Sequence, residues 1–182
     1  MSEEEHLIGA CRGDPDAFTA LVADHTGAVW NYLHRFMPAT SDREDLFQDV
    51  FVKTWLRIGS FDPGRGSLRT WLLRIAATTS LDEIKRRRRE RSRVQTWADE
   101  SDAGFPGDDQ PPGDGAVEEI REALGSLPDT ERQVVVLAFY HDLSMPRIAD
   151  LLGIPLGTIK SRMRSALRRL KERTAVEKAG EP

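Results

Sequence analysis

The residues best suited to chemistry lie near the C-terminal end of the chain, where cations and hydroxyls alternate with apolar residues. At a helical repeat of 3.6 residues, Ser161, Arg164, Ser165 and Arg168 share one side, with Lys160 beside them. Guanidinium, ammonium and hydroxyl groups donate to base edges and to phosphates, and a slender helix of this kind fits the DNA major groove. We therefore expect this side of the segment to bind duplex DNA.

Two helices joined by a tight turn must position this face, and the segment 143–170 has their pattern. Ser144 is placed to cap the first helix, and Gly153 supplies the permissive backbone of the turn. The expected buried residues are Ile148, Ala149, Leu151 and Leu152 in the first helix and Ile159, Met163, Ala166, Leu167 and Leu170 in the second. The pattern predicts a helix-turn-helix. The alternative is an ordinary helical hairpin with a solvated charged face, but the turn glycine and the one-sided cations favour DNA binding.

The charge of the chain is unevenly distributed, so its formal net charge of −4 is misleading. Residues 82–93 carry seven basic residues against three acids, and residues 144–182 carry nine against four. Residues 94–119 carry eight acids and no lysine or arginine. Two basic patches therefore flank an acidic segment, which is typical of a phosphate-binding protein in spite of the acidic total.

Other features of the composition exclude several functional classes. The single cysteine, Cys11, has no partner for an internal disulfide and is expected to be half-buried in a helix. The four histidines are scattered, so we expect neither a metal site nor a cofactor. No apolar run approaches about 18 residues, and the acidic start is unlike a signal peptide. These features predict a cytoplasmic protein without membrane contact.

The helix signals predict an all-α fold of two small domains joined by a flexible acidic linker. Asp14-Pro15 is expected to begin a helix that includes Phe36 and ends near Pro38, and Ser41 with Glu44 forms a capping box for a helix over 42–58. The turn-rich loop FDPGRGS follows, and Ser67 is placed to cap a helix that runs into the arginine cluster. The predicted organisation is an N-terminal domain at 1–93, a linker at 94–116, a C-terminal domain at 117–174 and a short tail at 175–182. In the C-terminal domain, amphipathic helices over 117–124 and 129–141 are expected to precede the helix-turn-helix.

The helix over 42–58 presents an unusual second side. Its core side is expected to contain Leu46, Phe47, Val50, Phe51, Thr54 and Ile58. The opposite side combines two acids with two aliphatic residues: Asp45, Asp49, Val52 and Leu56, with Gln48 adjacent. Such a mixture suits docking to a basic protein surface, in which apolar contact supplies affinity and charge supplies orientation. The alternative is a helix buried on both sides within a small bundle.

A polar stripe follows the helix that begins near residue 68. Arg74, Thr78, Lys85 and Arg89 are spaced along one side, and Phe61 and Trp71 flank the loop at its beginning. Aromatic rings beside cations form surfaces on which single-stranded bases stack, so this end of the domain is a candidate for binding melted DNA. The two aromatic residues are equally compatible with a role in the core.

These segments together resemble the bacterial extracytoplasmic-function (ECF) sigma factors of RNA polymerase. Four motifs carry the resemblance: D-x-x-Q-D-x-F from Asp45, W-L-x-x-I-A from Trp71, L-P-x-x-x-R from Leu127 and G-I-P-x-G-T-I-K-S-R from Gly153. The resemblance covers nearly the whole chain, and the motifs occur in the same order as in the family. It implies a non-enzymatic factor that binds core RNA polymerase, recognises promoter DNA and helps to open it.

The resemblance also implies roles for individual residues. The polymerase β′ clamp is expected to contact Asp45, Gln48, Asp49, Val52 and Leu56. The −10 promoter element is expected to contact Phe61, Arg65, Ser67, Trp71, Arg74, Thr78, Lys85 and Arg86. The −35 element is expected to contact Thr158, Lys160, Ser161, Arg162, Arg164, Ser165 and Arg168. Expected partners are thus core RNA polymerase, through its β′ clamp and β flap, promoter DNA and an anti-sigma factor.

The sequence departs from the family pattern at three positions. Thr78 stands where Asn is usual, and a threonine cannot bond a base edge bidentately. Ser165 stands where an arginine is common, which removes one expected DNA contact. Pro146 replaces a frequent glutamate and is compatible with the first turn of a helix.

Two other functional classes are less compatible with the residues. A stand-alone helix-turn-helix regulator needs a dimer interface or a ligand pocket, and neither is evident in the sequence. A nuclease or deaminase needs histidine, cysteine and glutamate at catalytic spacing, which the chain lacks. Co-purification with core polymerase would separate these classes.

Overall fold

The computed structural model describes residues 2–37, 40–94 and 115–179, which form nine helices and two single 3₁₀ turns. The N-terminal helices are α1 (Glu3–Cys11), α2 (Pro15–Ala23), α3 (Thr26–Phe36), α4 (Thr40–Arg57) and α5 (Leu68–Val94), with 3₁₀ turns at Ile58–Ser60 and Pro63–Arg65. The C-terminal helices are α6 (Gly115–Gly125), α7 (Asp129–Phe139), α8 (Met145–Leu152) and α9 (Leu156–Ala179). The described residues contain no strand, and the predicted all-α fold is confirmed.

Side-chain caps begin the first two helices. The Ser2 and Glu5 side chains form a reciprocal capping box on α1, and the Asp14 carboxylate accepts hydrogen bonds from the backbone of Asp16 and Ala17 at 3.0 and 3.2 Å. The prediction of one continuous helix from Asp14 to near Pro38 was wrong. The chain breaks at Asp24 and His25, so that α2 and α3 are separate helices.

The core of the N-terminal domain lies between α3, α4 and α5. Leu33, Val50 and Leu72 are fully buried there, and Ile58, in the 3₁₀ turn that follows α4, is also buried. Cys11, which we expected to be half-buried, is exposed because it lies at the last position of α1, turned away from this core. The predicted capping box at Ser41 falls on side chains outside the described residues.

The C-terminal domain contains the predicted helix-turn-helix. Gly153 adopts a left-handed φ of 67° between α8 and α9, as the tight turn requires. Ile148 of α8 is fully buried, as are Ile159 and Ala166 of α9. Leu167 was wrongly placed on the buried side and is 46% exposed, because the core side of α9 is narrower than the expected arc.

The orientation of α9 is fixed by polar contacts to neighbouring helices. The Arg173 guanidinium donates to the Glu122 carbonyl and carboxylate of α6, both at 2.9 Å. Arg169 approaches the Glu131 carboxylate of α7 at 3.3 Å. The helix continues to Ala179 and includes much of the predicted tail, whereas residues 95–114 of the predicted linker lie outside the described residues.

The two domains pack against each other through α3 and α7. The Gln133 amide of α7 donates to the Tyr32 hydroxyl of α3 at 3.2 Å and to the Ala77 carbonyl of α5 at 3.0 Å. The Arg35 guanidinium of α3 lies 3.7 Å from the centroid of the Tyr140 ring. Gln133 is fully buried, so α7 has no solvent-facing side at this point. We expected α7 to be amphipathic, and its polar side is covered by the other domain.

His141 follows α7 and is 2% exposed at this domain contact, with its ring centroid 5.9 Å from that of Tyr32. Neither ring nitrogen has a hydrogen-bond partner among the residues that the structure describes. Burial, together with the nearby Arg69 and Arg35 and against the opposing effect of Asp142, lowers the pKa of His141 from 6.5 to about 4. The neutral imidazole is therefore the form that the fold accommodates.

Stability is expected to fall as pH decreases from 6.5 towards 4, because the unfolded chain takes up a proton on His141 that the folded chain resists. The slope has an upper limit of about 1.4 kcal/mol per pH unit for one group. Urea unfolding of His141→Gln should show a shallower pH dependence across this window, whereas His6→Gln in α1 serves as the matched control. An unchanged slope in His141→Gln would contradict the assignment.

Candidate nucleic-acid interface

The loop between α4 and α5 is held by short-range hydrogen bonds. The Asp62 carboxylate accepts from the Gly64 backbone at 2.9 Å, and the Ser67 hydroxyl accepts from the Thr70 backbone at 3.3 Å, which caps α5 as predicted. Phe61 and Trp71 are half-buried, with ring centroids 5.5 Å apart. Each aromatic ring therefore has one side on the core and another available at the surface, which combines the two alternatives left open by the sequence.

This loop and the start of α5 line a cavity of about 440 Å³. Five of the residues predicted to contact the −10 element meet in its wall: Phe61, Arg65, Ser67, Trp71 and Arg74. These five residues supply two aromatic rings, two guanidiniums and one hydroxyl to the wall, which also contains the carboxylates of Asp62 and Asp150. Thr78 lines a neighbouring cavity, whereas Lys85 and Arg86 lie further along α5 and line neither.

Helix α8 of the other domain closes one side of the first cavity. Arg147, Asp150 and Leu151 lie in its wall opposite the loop. A Cβ atom added at Gly66 would stand 3.9 Å from an Arg147 guanidinium nitrogen, so the two domains meet directly at the loop. In this arrangement the loop faces protein rather than open solvent on that side.

Part of the arginine run in α5 is neutralised by acids on the same helix. The Arg86 guanidinium donates to Glu83 and to Glu90 at 2.6 Å, and Arg87 also donates to Glu83 at 2.6 Å. The hydrogen bond from Arg86, reinforced by Arg87, lowers the pKa of Glu83 to about 2 despite some burial. The carboxylate therefore stays ionised at neutral pH, and the run is less positive than its sequence suggests.

The basic side of α9 is accessible in the same arrangement. Lys160, Ser161, Arg164 and Arg168 are exposed, whereas Thr158, Arg162 and Ser165 are half-buried. Arg168 approaches Glu172 at only 4.0 Å, with both side chains mostly exposed. The helix-turn-helix holds all seven predicted residues within three turns of one helix, and α8 braces that helix from behind.

The second side of α4 is exposed, which excludes the alternative of a helix buried on both sides. Val52 and Leu56 are 56% and 75% exposed, and Asp45, Gln48 and Asp49 surround them at the surface. We call these five residues the α4 docking face. The exposure of these two aliphatic side chains is compatible with the predicted docking to a partner.

Two cations at the groove between α4 and α5 were not predicted from the sequence. Lys53 and Arg57 line the second cavity, also about 440 Å³, together with Arg74 and Thr78. Their spacing of four residues was the available signal, because it places them on one side of α4 between the core and the docking face.

Comparison with known proteins identifies both domains. Residues 21–90 match the Sigma-70 region 2 family, and residues 123–172 match Sigma-70 region 4. The ECF RNA polymerase sigma factor RpoE of Cereibacter sphaeroides is 31% identical over 166 residues, which cover 87% of each chain. The chain belongs to the ECF family of RNA polymerase sigma factors. SigW of Bacillus subtilis, another ECF sigma factor, is 31% identical over 175 residues, covering 87% of this chain and 90% of SigW.

Two solved structures have the same fold. The sigma factor RpoE from Bartonella quintana, solved with the anti-sigma factor NepR, has a TM-score of 0.69 and 27% identity over 85% of this chain and 94% of that one. CnrH, solved with the cytosolic domain of CnrY, has a TM-score of 0.67 and 26% identity over 98% of this chain and 99% of that one. This ECF sigma factor is accordingly a non-enzymatic promoter-recognition factor for transcription initiation, and its partners are core RNA polymerase and promoter DNA. Within the described ranges, no helix is long and apolar enough to cross a membrane.

Proposed function

We propose that the loop at 61–67 and the following turns of α5 bind the single-stranded −10 element, while α9 binds the duplex −35 element. The observation that supports this proposal most directly is the first cavity, whose wall brings together residues of the loop and of α5 between Phe61 and Arg74. Stacking on Phe61 and Trp71 holds a base that has left the duplex, and Arg65 and Arg74 neutralise the phosphates beside it. Lys85 and Arg86 extend this surface along α5.

Thr78 gives the proposed −10 site a preference for bases that donate a hydrogen bond. Its hydroxyl oxygen lies 2.9 Å from the Arg74 carbonyl and 3.0 Å from the Ile75 carbonyl, so its proton is donated to the helix. The lone pairs that remain can only accept a hydrogen bond. An amino group on adenine or cytosine fits such an acceptor, whereas the thymine O4 acceptor does not.

We propose a separate role for α9 in recognising the −35 element through Thr158, Lys160, Ser161, Arg162, Arg164, Ser165 and Arg168. Arg164→Ala or Ser161→Ala should weaken binding to −35 duplex DNA by about 1–3 kcal/mol where a base contact is lost. Thr78→Ala should change the −10 preference alone. The measurement is selectivity at each element in transcription from a randomised promoter pool. Equal changes at both elements for every variant would contradict this division.

We propose that the α4 docking face binds the β′ clamp of core RNA polymerase and that the C-terminal domain contacts the β flap. The acids and aliphatic side chains on α4 lie away from the cavity that binds DNA, so one domain can contact polymerase and DNA together. Because core polymerase is located in the cytoplasm, we propose that compartment for this chain. The organisation into domains at 1–93 and 117–174, with an acidic linker at 94–116, belongs to the same proposal.

We further propose that an anti-sigma factor regulates the chain. The solved neighbour RpoE was determined in complex with the anti-sigma factor NepR, and CnrH was determined in complex with the cytosolic domain of CnrY. In this chain α8 closes one side of the cavity at the loop, so the domains must separate there before a strand enters from that side. A partner that favours the packed arrangement would keep the −10 site covered.

A further inference from the structure

The groove between α4 and α5 is a second basic cavity of the N-terminal domain. Three cations line it, Lys53, Arg57 and Arg74, against one carboxylate, Asp82, which Lys85 approaches at 4.0 Å. The wall of this cavity also contains the hydroxyls of Ser60 and Thr78 and the side chain of Trp71. A concave surface with this excess of positive charge favours an anionic ligand that also offers hydrogen-bonding groups.

Lys53 is held at the wall of the groove rather than extended into solvent. Its ammonium donates to the Thr79 hydroxyl at 3.3 Å, and the side chain is half-buried. An ammonium carries three donors, so two remain for a ligand. Arg57 lies one helical turn further on and is exposed, which places a second cation over the same groove.

This groove continues from the loop cavity. Ser60, Trp71 and Arg74 line both cavities, so the cavities share part of their wall and a strand stacked at the loop can continue along it into the groove. The second cavity is lined by residues from α4 to α5 alone, so α8 does not cover it. It is accessible while the two domains remain packed.

We propose that Lys53 and Arg57 hold the phosphates of the single DNA strand, so that the melted strand lies between α4 and α5 and its bases face Thr78. This proposal rests on the proposed function and extends it to α4. In α5, by contrast, Arg86 and Arg87 are bound to the Glu83 carboxylate, which neutralises part of the arginine run. The groove therefore offers the DNA strand positive charge that this part of α5 does not. Lys53 and Arg57 are therefore positioning residues: they bind the phosphate backbone of the DNA and do not select which base is bound.

The test is the salt dependence of binding to a fluorescently labelled oligothymidine, measured by anisotropy with the full chain. Each phosphate contact on a single strand contributes about 0.7 to the slope of log K against log salt. The double variant Lys53→Gln/Arg57→Gln should have a slope shallower by about 1.4, which corresponds to about 25-fold weaker binding at 0.1 M salt. The charge-conserving variant Lys53→Arg/Arg57→Lys should retain most of the slope.

A matched control removes the same charge elsewhere. Arg12→Gln/Lys171→Gln changes one arginine and one lysine outside both cavities and should leave the slope unchanged. An unchanged slope in the groove variant, or an equal change in the control, would overturn the proposal. Loss of core polymerase binding with an unchanged oligothymidine slope would also overturn it, since the two cations would then belong to the protein interface. Failure of the wild-type chain to support initiation with core polymerase would instead count against the proposed function.

Discussion

Asp49→Arg combined with Leu56→Asp is expected to abolish binding to core RNA polymerase while both domains stay folded. Leu56 is 75% exposed, and Asp49, two helical turns earlier on the same side, is also exposed, so neither substitution disturbs the core beneath α4. The first change reverses the charge that orients docking, and the second places a charge where an aliphatic side chain should be desolvated. The measurement is surface-immobilised core polymerase titrated with the variant, with circular dichroism to verify folding.

A control of the same chemistry is available on α1 and at the end of α2. Asp24→Arg with Ile8→Asp changes an exposed acid and an exposed aliphatic residue outside the α4 docking face. This variant should bind core polymerase as the wild type does. Undiminished binding by the α4 variant, or equal loss in the control, would show that the docking face lies elsewhere.

The second large effect is expected on the free energy of unfolding, when a buried ion pair in α7 is broken. Arg132 is 1% exposed and its guanidinium donates to the Asp129 carboxylate at 2.6 Å. The guanidinium also lies 5.1 Å from the Phe36 ring of the other domain. Asp129→Ala leaves the guanidinium buried without its principal counter-charge, and it should lower the free energy of unfolding by about 3–5 kcal/mol.

An exposed pair in α9 provides the comparison. Arg168 and Glu172 approach at 4.0 Å with side chains 69% and 68% exposed, so Glu172→Ala should cost less than about 1 kcal/mol. Replacing both buried partners, as in Asp129→Leu/Arg132→Met, should be less harmful than Asp129→Ala alone. Urea unfolding followed by circular dichroism measures all three. A cost for Asp129→Ala no larger than that for Glu172→Ala would refute this interpretation of the buried pair.

Local signals in the sequence predicted much of the fold. Caps at Asp14 and Ser67 and the glycine turn at Gly153 act within a few residues, so they can be identified without knowing the tertiary structure. The break between α2 and α3 was not predicted because it consists of Asp24 and His25, and neither position is a proline or a glycine that would mark the end of a helix. Leu167 was misplaced because a helical repeat predicts the direction of a side chain but not the width of the surface that covers it.

The contact between the domains could not be predicted from periodicity. Gln133 and His141 are polar, yet both are buried because residues distant in the sequence cover them. The same reasoning applies to the two cavities: the sequence identified Phe61 and Arg74 as candidates, but only the fold brings α8 against one cavity and Lys53 into the other. Patterns along the chain thus identified which residues share one side of a helix, whereas packing determined which other elements lie against that side.

The measurement that tests the central claim most directly is transcription by purified core RNA polymerase from a library of randomised promoters, with and without this chain. The account predicts initiation that depends on the chain and transcripts enriched for two separate upstream elements. Arg164→Ala should alter the enriched sequence of the distal element alone, and Thr78→Ala that of the proximal element alone. Initiation that is independent of the chain, or enrichment of a single element that both variants change alike, would contradict the account.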